Sequence, residues 1–324
     1  MLIETPSRLH FTLIDLNGKL GRIDGGVGVA LEYPKVVLKA KHARELKISP
    51  NYEIVRTAVK KVGEKFKITG KFDIRIIESI PQHVGLGSGT QLSLATGLSL
   101  AKLENMEISI RKLAEAVNRG GTSGIGVAAF QRGGFLLDCG HSFGSKGQKQ
   151  SFLPSHFSGA PPAPLLLRYK FPEDWIFVVA KPNVKKRIHG LKESKIFSQF
   201  CPIREVEVER LSRLILMKLL PSLVEKDIII FGSALTEVQK IGFKKIEVKL
   251  QDPIVKQTME FMVKNGAYGS GMSSFGPTVY GLVLGEKHAK ELTLATQEFV
   301  RSKIGGKVFY SRCRNKGADV RIIS

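Results

Sequence analysis

The sequence predicts an α+β protein of two domains, and three observations carry that reading. Its 324 residues are enough for about two domains at roughly 150 residues each. Strand-like alternation and helical periodicity mix along the chain, without the regular βαβ alternation of a doubly wound parallel sheet. A polar stretch rich in Gly, Ser and Pro, from 140 to 164, separates two halves that each carry both kinds of segment. The expected domains are 1–165 and 166–324.

The elements follow in order. Residues 2–14 alternate loosely as a strand. Residues 27–40 read as two further strands with a break at Pro34, since proline has no N–H for a ladder. A helix is expected over 51–62 and a strand over 72–79, FDIRIIES. A glycine-rich run then opens an apolar helical stretch carrying Leu92, Ala95, Leu98, Leu100 and Leu103. A helix over 110–117 and a strand over 134–138 complete the first half, and 140–164 is expected as a long loop or linker. The second half offers a strand at 175–180, a basic segment at 181–195, and helices near 203–219, 227–241 and 252–265. A strand at 278–284, a helix at 287–302 and strands at 307–311 and 319–323 end the chain.

Composition narrows the function classes. No run approaches eighteen apolar residues, so no membrane span is expected. The N-terminus carries Glu4 where a signal peptide has its positive region, and it lacks a long apolar run. The three cysteines, Cys139, Cys201 and Cys313, are far apart and form no C-x-x-C, which points to a reduced, cytoplasmic protein without a disulfide framework. Fifty Lys and Arg against 29 Asp and Glu give a net charge of +21. Such a field suits a polyanion or a heavily phosphorylated small molecule, with general basicity as the alternative. The densest clusters are Lys185-Lys186-Arg187 and Lys244-Lys245. No basic tail, zinc finger or aromatic RNA-binding motif is present, so nucleic acid is not the expected partner.

The strongest local signal is Gly85-Leu86-Gly87-Ser88-Gly89-Thr90-Gln91. Its glycines permit a tight turn, and the helix it opens offers free N–H groups and a positive dipole end. Ser88 and Thr90 add hydroxyls, which together suit phosphate. The alternative is a capped turn on a buried helix. The run fits neither the Walker nor the Rossmann pattern. A second cluster, Gly269 to Thr278, includes Ser273, Ser274 and Gly276 and runs from a helix end into a strand.

Pro81-Gln82-His83-Val84-Gly85-Leu86-Gly87-Ser88, followed by Gly271 and Ser273 to Thr278, resembles the two glycine-rich loops of the GHMP kinase superfamily. The resemblance spans both halves. It implies an N-terminal ribosomal-protein-like α+β domain and a C-terminal ferredoxin-like domain. Many of these kinases carry a catalytic Asp in an S-G-x-D segment. The matching stretch here, Gly120 to Gly126, ends on Gly126, and glycine is no base. Ser7 to Phe11, Gly21 to Gly26, Arg119 to Gly126, and Gly133 to Phe135 with Asp138 and Gly140 to Ser142 resemble one branch, the β-ribofuranosylaminobenzene 5′-phosphate synthase family of archaeal methanopterin biosynthesis. The resemblance implies transfer of a phosphoribosyl group from phosphoribosyl pyrophosphate to a para-substituted benzoate. It also implies loss of CO2 and pyrophosphate, use of Mg²⁺, and a homodimer. An ATP-dependent small-molecule kinase is the alternative.

That chemistry names the candidates. Gly85, Leu86, Gly87, Ser88, Gly89, Thr90 and Gln91, with Thr122, Ser123, Ser273, Ser274 and Gly276, are expected at phosphate groups. Arg8, Arg22 and Arg119 suit a phosphate or the aryl carboxylate, structural ion pairs being the alternative. Asp15 and Asp24 are expected to hold Mg²⁺ or to face the cationic sugar carbon, or else to shape turns. His10 and His141 are candidates for substrate contact. With Asp15, Asp24, Arg8 and His10 as the catalytic set, the metal ligands stay open. Lys181, Lys185, Lys186, Arg187 and His189 read as a lid over pyrophosphate or as a solvated loop.

Overall fold

The computed structural model describes residues 1–185, 188 and 190–322. Its first sheet is built on a long hairpin of β1 (Leu2–Asp15) and β2 (Arg22–His42). To these are added β3 (Lys47–Ser49), β4 (Phe72–Glu78), β5 (Phe135–Asp138), β6 (His141–Ser142) and β7 (Leu165–Tyr169). The second sheet contains β8 (Trp175–Pro182), β9 (Gly269–Met272), β10 (Val279–Leu284) and β11 (Gly306–Arg312), in the order β11-β8-β10-β9 and antiparallel throughout. The last strand, β12 (Asp319–Arg321), returns to pair with β1. The first sheet runs β12-β1-β2-β4-β3, with β5 and β6 on other stretches of β2 and β7 beyond β5. It therefore takes strands from both sides of residue 165.

Twelve helices pack on these sheets among the described residues: α1 (Glu53–Phe66), α2 (Ser88–Leu103), α3 (Ile110–Ala116), α4 (Ile125–Gln131), α5 (Ser155–Ser158), α6 (Leu191–Phe200), α7 (Glu205–Leu214), α8 (Leu220–Glu225), α9 (Ile228–Val238), α10 (Gly242–Lys249), α11 (Pro253–Lys264) and α12 (Gly285–Lys303). A π-helical turn, Ile215–Leu219, joins α7 to α8, so the helix expected to end near 219 runs on to Glu225.

Four expectations are corrected. Pro34 does not break β2. The β1–β2 ladder shifts register between Thr5↔Val36 and Ser7↔Leu31, and Pro34 lies in that bulge, where its missing N–H costs no ladder bond. The 140–164 stretch is no featureless linker, since it contains β6 and α5. Helices α4 and α10 form where no helix was expected, and Gly269–Met272 is a strand.

Alternation along β1 places the site. Leu9 and Phe11 enter the main core, where Phe11 packs on Phe135, Phe177 and Tyr280 from both halves. Arg8 and His10 therefore share the opposite face. His10 pairs with Gly28, and a Cβ on Gly28 would meet Ile125 of α4 at 2.8 Å. That face of the hairpin lies against α4.

Candidate active site

The glycine-rich run turns into α2 through two left-handed residues, Gly85 (φ +85°) and Gly87 (φ +83°). A Cβ on Gly85 would lie 2.3 Å from the Ser273 carbonyl oxygen, so only glycine fits there. The amides of Thr90 and Gln91 donate to Gly87 O at 3.1 and 3.2 Å. Those of Ser88 and Gly89 are left as the orphan donors of the first helical turn, at the positive end of the helix.

The second glycine/serine cluster closes on the first. Ser273 Oγ donates to Gly85 O at 2.6 Å and accepts from the His10 amide at 2.9 Å. Arg8 Nη1 donates to the same Gly85 oxygen at 2.5 Å, and the Arg8 amide donates to Leu86 O at 3.1 Å. The Ser274 amide donates to His10 O, and the Gly276 amide closes a turn onto Ser273 O. Ser273 is fully buried, so its hydroxyl ties strand to loop. Ser274 (φ +52°) and Gly276 (φ +64°) shape the turn around it.

Charged groups gather at this junction. His10 is buried, and neither ring nitrogen has a hydrogen-bond partner. Burial, reinforced by Arg8 and Lys244, holds its pKa well below the usual imidazole range, so the ring is neutral. Burial also lowers Arg8, to about 10, against the attraction of Glu193 and Glu247. Lys244 of α10 is fully buried and ion-paired with Glu247. It also donates to Ser274 O at 3.0 Å and Met272 O at 3.5 Å. Glu193 of α6 is pushed up to about 7 by burial and by Glu247. Over the first turn of α2 lies Arg119, whose Nη2 is 3.2 Å from where a Gly89 Cβ would stand. Its buried Nε has no partner. The whole arrangement is a cationic cradle around a helix N-terminus, lined by a neutral imidazole.

Other candidates sit in a second network. Asp24 is buried and left-handed (φ +72°). It meets His141 Nδ1 at 2.6 Å and Lys149 Nζ at 2.9 Å. Lys149 also donates to Thr122 Oγ1 at 3.2 Å, and His141 Nε2 lies 2.9 Å from Pro161 O. Asp138, raised to about 6 by burial, accepts from the amides of Gly124 and Gly140 and lies 3.4 Å from Ser123 Oγ. This network anchors the 141–161 stretch and the approach to α4. Asp15 accepts from the Asn17 and Gly18 amides as an Asx turn. Arg22 is exposed and donates to Cys139 O. At the head of α4, Gly126 faces Thr90, with a Cβ 3.3 Å from Thr90 Cγ2, and its carbonyl accepts from Gln91 Nε2 at 2.8 Å.

The structure thus joins Arg8, His10, Arg119 and both glycine/serine clusters, and it places Asp24 and His141 with Thr122 in the second network. Glu193, Glu247 and Lys149 were not among the expected site residues, and Lys244 was visible only as half of the basic doublet Lys244-Lys245. The expectation for Lys186, Arg187 and His189 falls outside the described residues. Cys139, Cys201 and Cys313 are free thiols. No helix among the described residues is long and apolar enough to cross a membrane.

Comparison with known proteins agrees with this geometry. Residues 53–134 match the GHMP kinases N terminal domain, and residues 219–301 match the GHMP kinases C terminal domain. The phosphomevalonate kinase of Streptococcus pneumoniae shares the fold, with a TM-score of 0.69, 12% identity, and coverage of 97% of this chain and 99% of that one. The β-ribofuranosylphenol 5′-phosphate synthase of Methanothermobacter thermautotrophicus is 42% identical over 98% of each chain. That of Archaeoglobus fulgidus is 41% identical over 99% of each. Likeness at this level along the whole length, on a GHMP-type fold with both glycine/serine loops in contact, means that the chain belongs to the β-ribofuranosylphenol 5′-phosphate synthase family, pentosyltransferases of the GHMP kinase superfamily.

Proposed function

We propose that the chain transfers a 5-phosphoribosyl group from phosphoribosyl pyrophosphate to 4-hydroxybenzoate, releasing CO2 and pyrophosphate and forming a C-riboside 5′-phosphate for methanopterin biosynthesis. The observation that carries this reading is the cradle itself. Arg8, Arg119 and the orphan amides of Ser88 and Gly89 supply positive charge, while Gly126 stands where a kinase of this fold would hold its base. The relatives are named for a ribofuranosylphenol product, which favours the hydroxy over the amino benzoate.

In the reaction the C1–oxygen bond of the sugar breaks, and its electron pair leaves with pyrophosphate. The ring carbon bearing the carboxylate bonds to C1. The C–CO2 bond then breaks, its pair returns to the ring, and CO2 departs. No covalent nucleophile is needed. Arg8, Arg119 and the amides of the α2 first turn neutralise the leaving diphosphate. Neutral His10, with both ring nitrogens unpaired in the absence of ligand, orients the sugar or the acceptor without opposing the developing cation.

Among the described residues no three His, Cys, Asp or Glu side chains form a metal cluster, which suits an ion carried in on the diphosphate. Glu193, beside Arg8 and Glu247 with its pKa held up by burial, is the carboxylate that fits such an ion. Mg²⁺ would there neutralise diphosphate charge. A homodimer is part of the same reading.

The test is incubation with Mg²⁺, phosphoribosyl pyrophosphate and carboxyl-labelled 4-hydroxybenzoate or 4-aminobenzoate. Labelled CO2 that depends on the phosphoribosyl donor is the expected result, faster with the hydroxy acid. No release beside an active control, with substrate-dependent ADP formation from ATP, would replace this reading by the kinase.

A further inference from the structure

The buried ion pair on α10 has no role in the chemistry above, yet all its hydrogen bonds outside α10 go to one turn of the site. The Lys244 ammonium has three donors. One is held by Glu247, and the others reach Ser274 O at 3.0 Å and Met272 O at 3.5 Å. These two carbonyls flank Ser273, whose hydroxyl links Gly85 O to the His10 amide. The turn is gripped on both sides by neighbouring side chains. Gln251 Nε2 donates to Phe275 O at 2.6 Å, and Gln239 Oε1 accepts from the Met272 amide at 3.0 Å. Burying a lysine and a glutamate is costly, and an apolar pair of similar volume would often serve stability as well. The charge is therefore explained by what it holds.

We propose that Lys244 is a positioning residue for diphosphate binding: it fixes the 272–274 turn so that Ser273 sets the glycine loop and His10 in the geometry that receives the diphosphate of the donor. The inference rests on the proposed function for its ligand class alone. Lys244 lies behind the turn and acts through Ser273, so its loss should appear first in diphosphate affinity and in the KM for the donor, and less in kcat.

The experiment measures binding of inorganic pyrophosphate with Mg²⁺ by calorimetry, together with thermal midpoints and steady-state kinetics. The proteins compared are wild type, Lys244→Met, Lys244→Met/Glu247→Met and Ser273→Ala. The double variant leaves no unpaired buried charge, so it is expected to recover most of the stability that Lys244→Met loses. If Lys244 positions the turn, the double variant still binds pyrophosphate at least tenfold more weakly than wild type, and the KM for the donor rises in parallel. A double variant with wild-type stability and wild-type affinity would overturn the inference, because the pair would then be a replaceable salt bridge. Should the double variant fail to fold, Ser273→Ala decides. It leaves Lys244 in place and cuts the link to Gly85 and His10, and wild-type pyrophosphate affinity in it would equally overturn the inference. Wild-type protein that binds pyrophosphate but releases no CO2 would refute the proposed reaction and leave this inference standing. Wild-type protein that does not bind pyrophosphate would overturn the inference.

Discussion

Replacing Gly85 by alanine tests whether the two glycine/serine loops are held together as tightly as the geometry indicates. Two costs add. The first is conformational: at φ +85° an L side chain sits in the left-handed region, at about 1–2 kcal/mol. The second is steric. The new Cβ would stand 2.3 Å from Ser273 O. That oxygen cannot swing away freely, because it accepts from the Gly276 amide at 2.9 Å. Forcing the two backbones apart costs about 1–3 kcal/mol, as overpacking does elsewhere. Gly159→Ala is the matched control, since Gly159 has φ +62° and nothing within 4 Å of its Cβ position. It carries the conformational cost alone. With about 2 °C lost per kcal/mol, the lower end for large domains, Gly85→Ala should melt about 4–10 °C below wild type and Gly159→Ala about 2–4 °C below. Calorimetric melting of the two variants reads the difference, and pyrophosphate binding should weaken only in Gly85→Ala. Equal melting points for the two alanine variants would refute the claim that the loops are locked by close backbone approach.

Three further outcomes are expected. His10→Leu removes two buried, unpaired nitrogens, each a liability of about 1–3 kcal/mol in a fold without ligand. Its melting point should hold or rise while labelled CO2 release falls about 100-fold, and a stability loss with activity retained would mark His10 as merely structural. Glu193 has a pKa near 7 in the folded chain against 4.5 ordinarily. The folded state therefore binds a proton that the unfolded state has lost between those values, and this contribution to stability declines as pH rises through that window. The melting-point difference between Glu193→Gln and wild type, measured without ligand from pH 4.5 to 7.5, should widen with pH in favour of the variant, and a flat difference would contradict the burial of that carboxylate. Lys149→Met leaves the Asp24 carboxylate buried with His141 alone and should cost about 3–5 kcal/mol. Chemical denaturation reads it, and a double-mutant cycle with Asp24→Asn should show strong coupling.

What the sequence disclosed follows the range of the physics involved. Gly85 to Gln91 was legible because a tight turn into a helix is local chemistry, decided by the absence of a Cβ and the donors of one helical turn. Strand β4 and helices α2 and α3 were legible from their periodicity. Pro34 misled because a proline is compatible with a strand wherever a bulge frees its position, and the bulge depends on the partner strand. Helices α4 and α10 were missed because the first is short and glycine-bearing and the second is interrupted by charge.

The sequence by itself determined the glycine-rich turn into α2, the absence of a carboxylate at position 126 and the kinship that both imply, since each is written in adjacent residues. Only the tertiary structure decided which charges serve the site. Lys244 and Lys245 are neighbours in the chain and equivalent as symbols, yet the turn of α10 buries Lys244 completely beneath the Ser273 turn and leaves Lys245 exposed. Asp15 and Asp24 face each other across the β1–β2 hairpin and both have glycines close by in sequence, yet only Asp24 meets a buried lysine and histidine more than a hundred residues away. Burial and long-range pairing set the protonation and the reach of a side chain, and neither quantity exists until the chain has closed on itself.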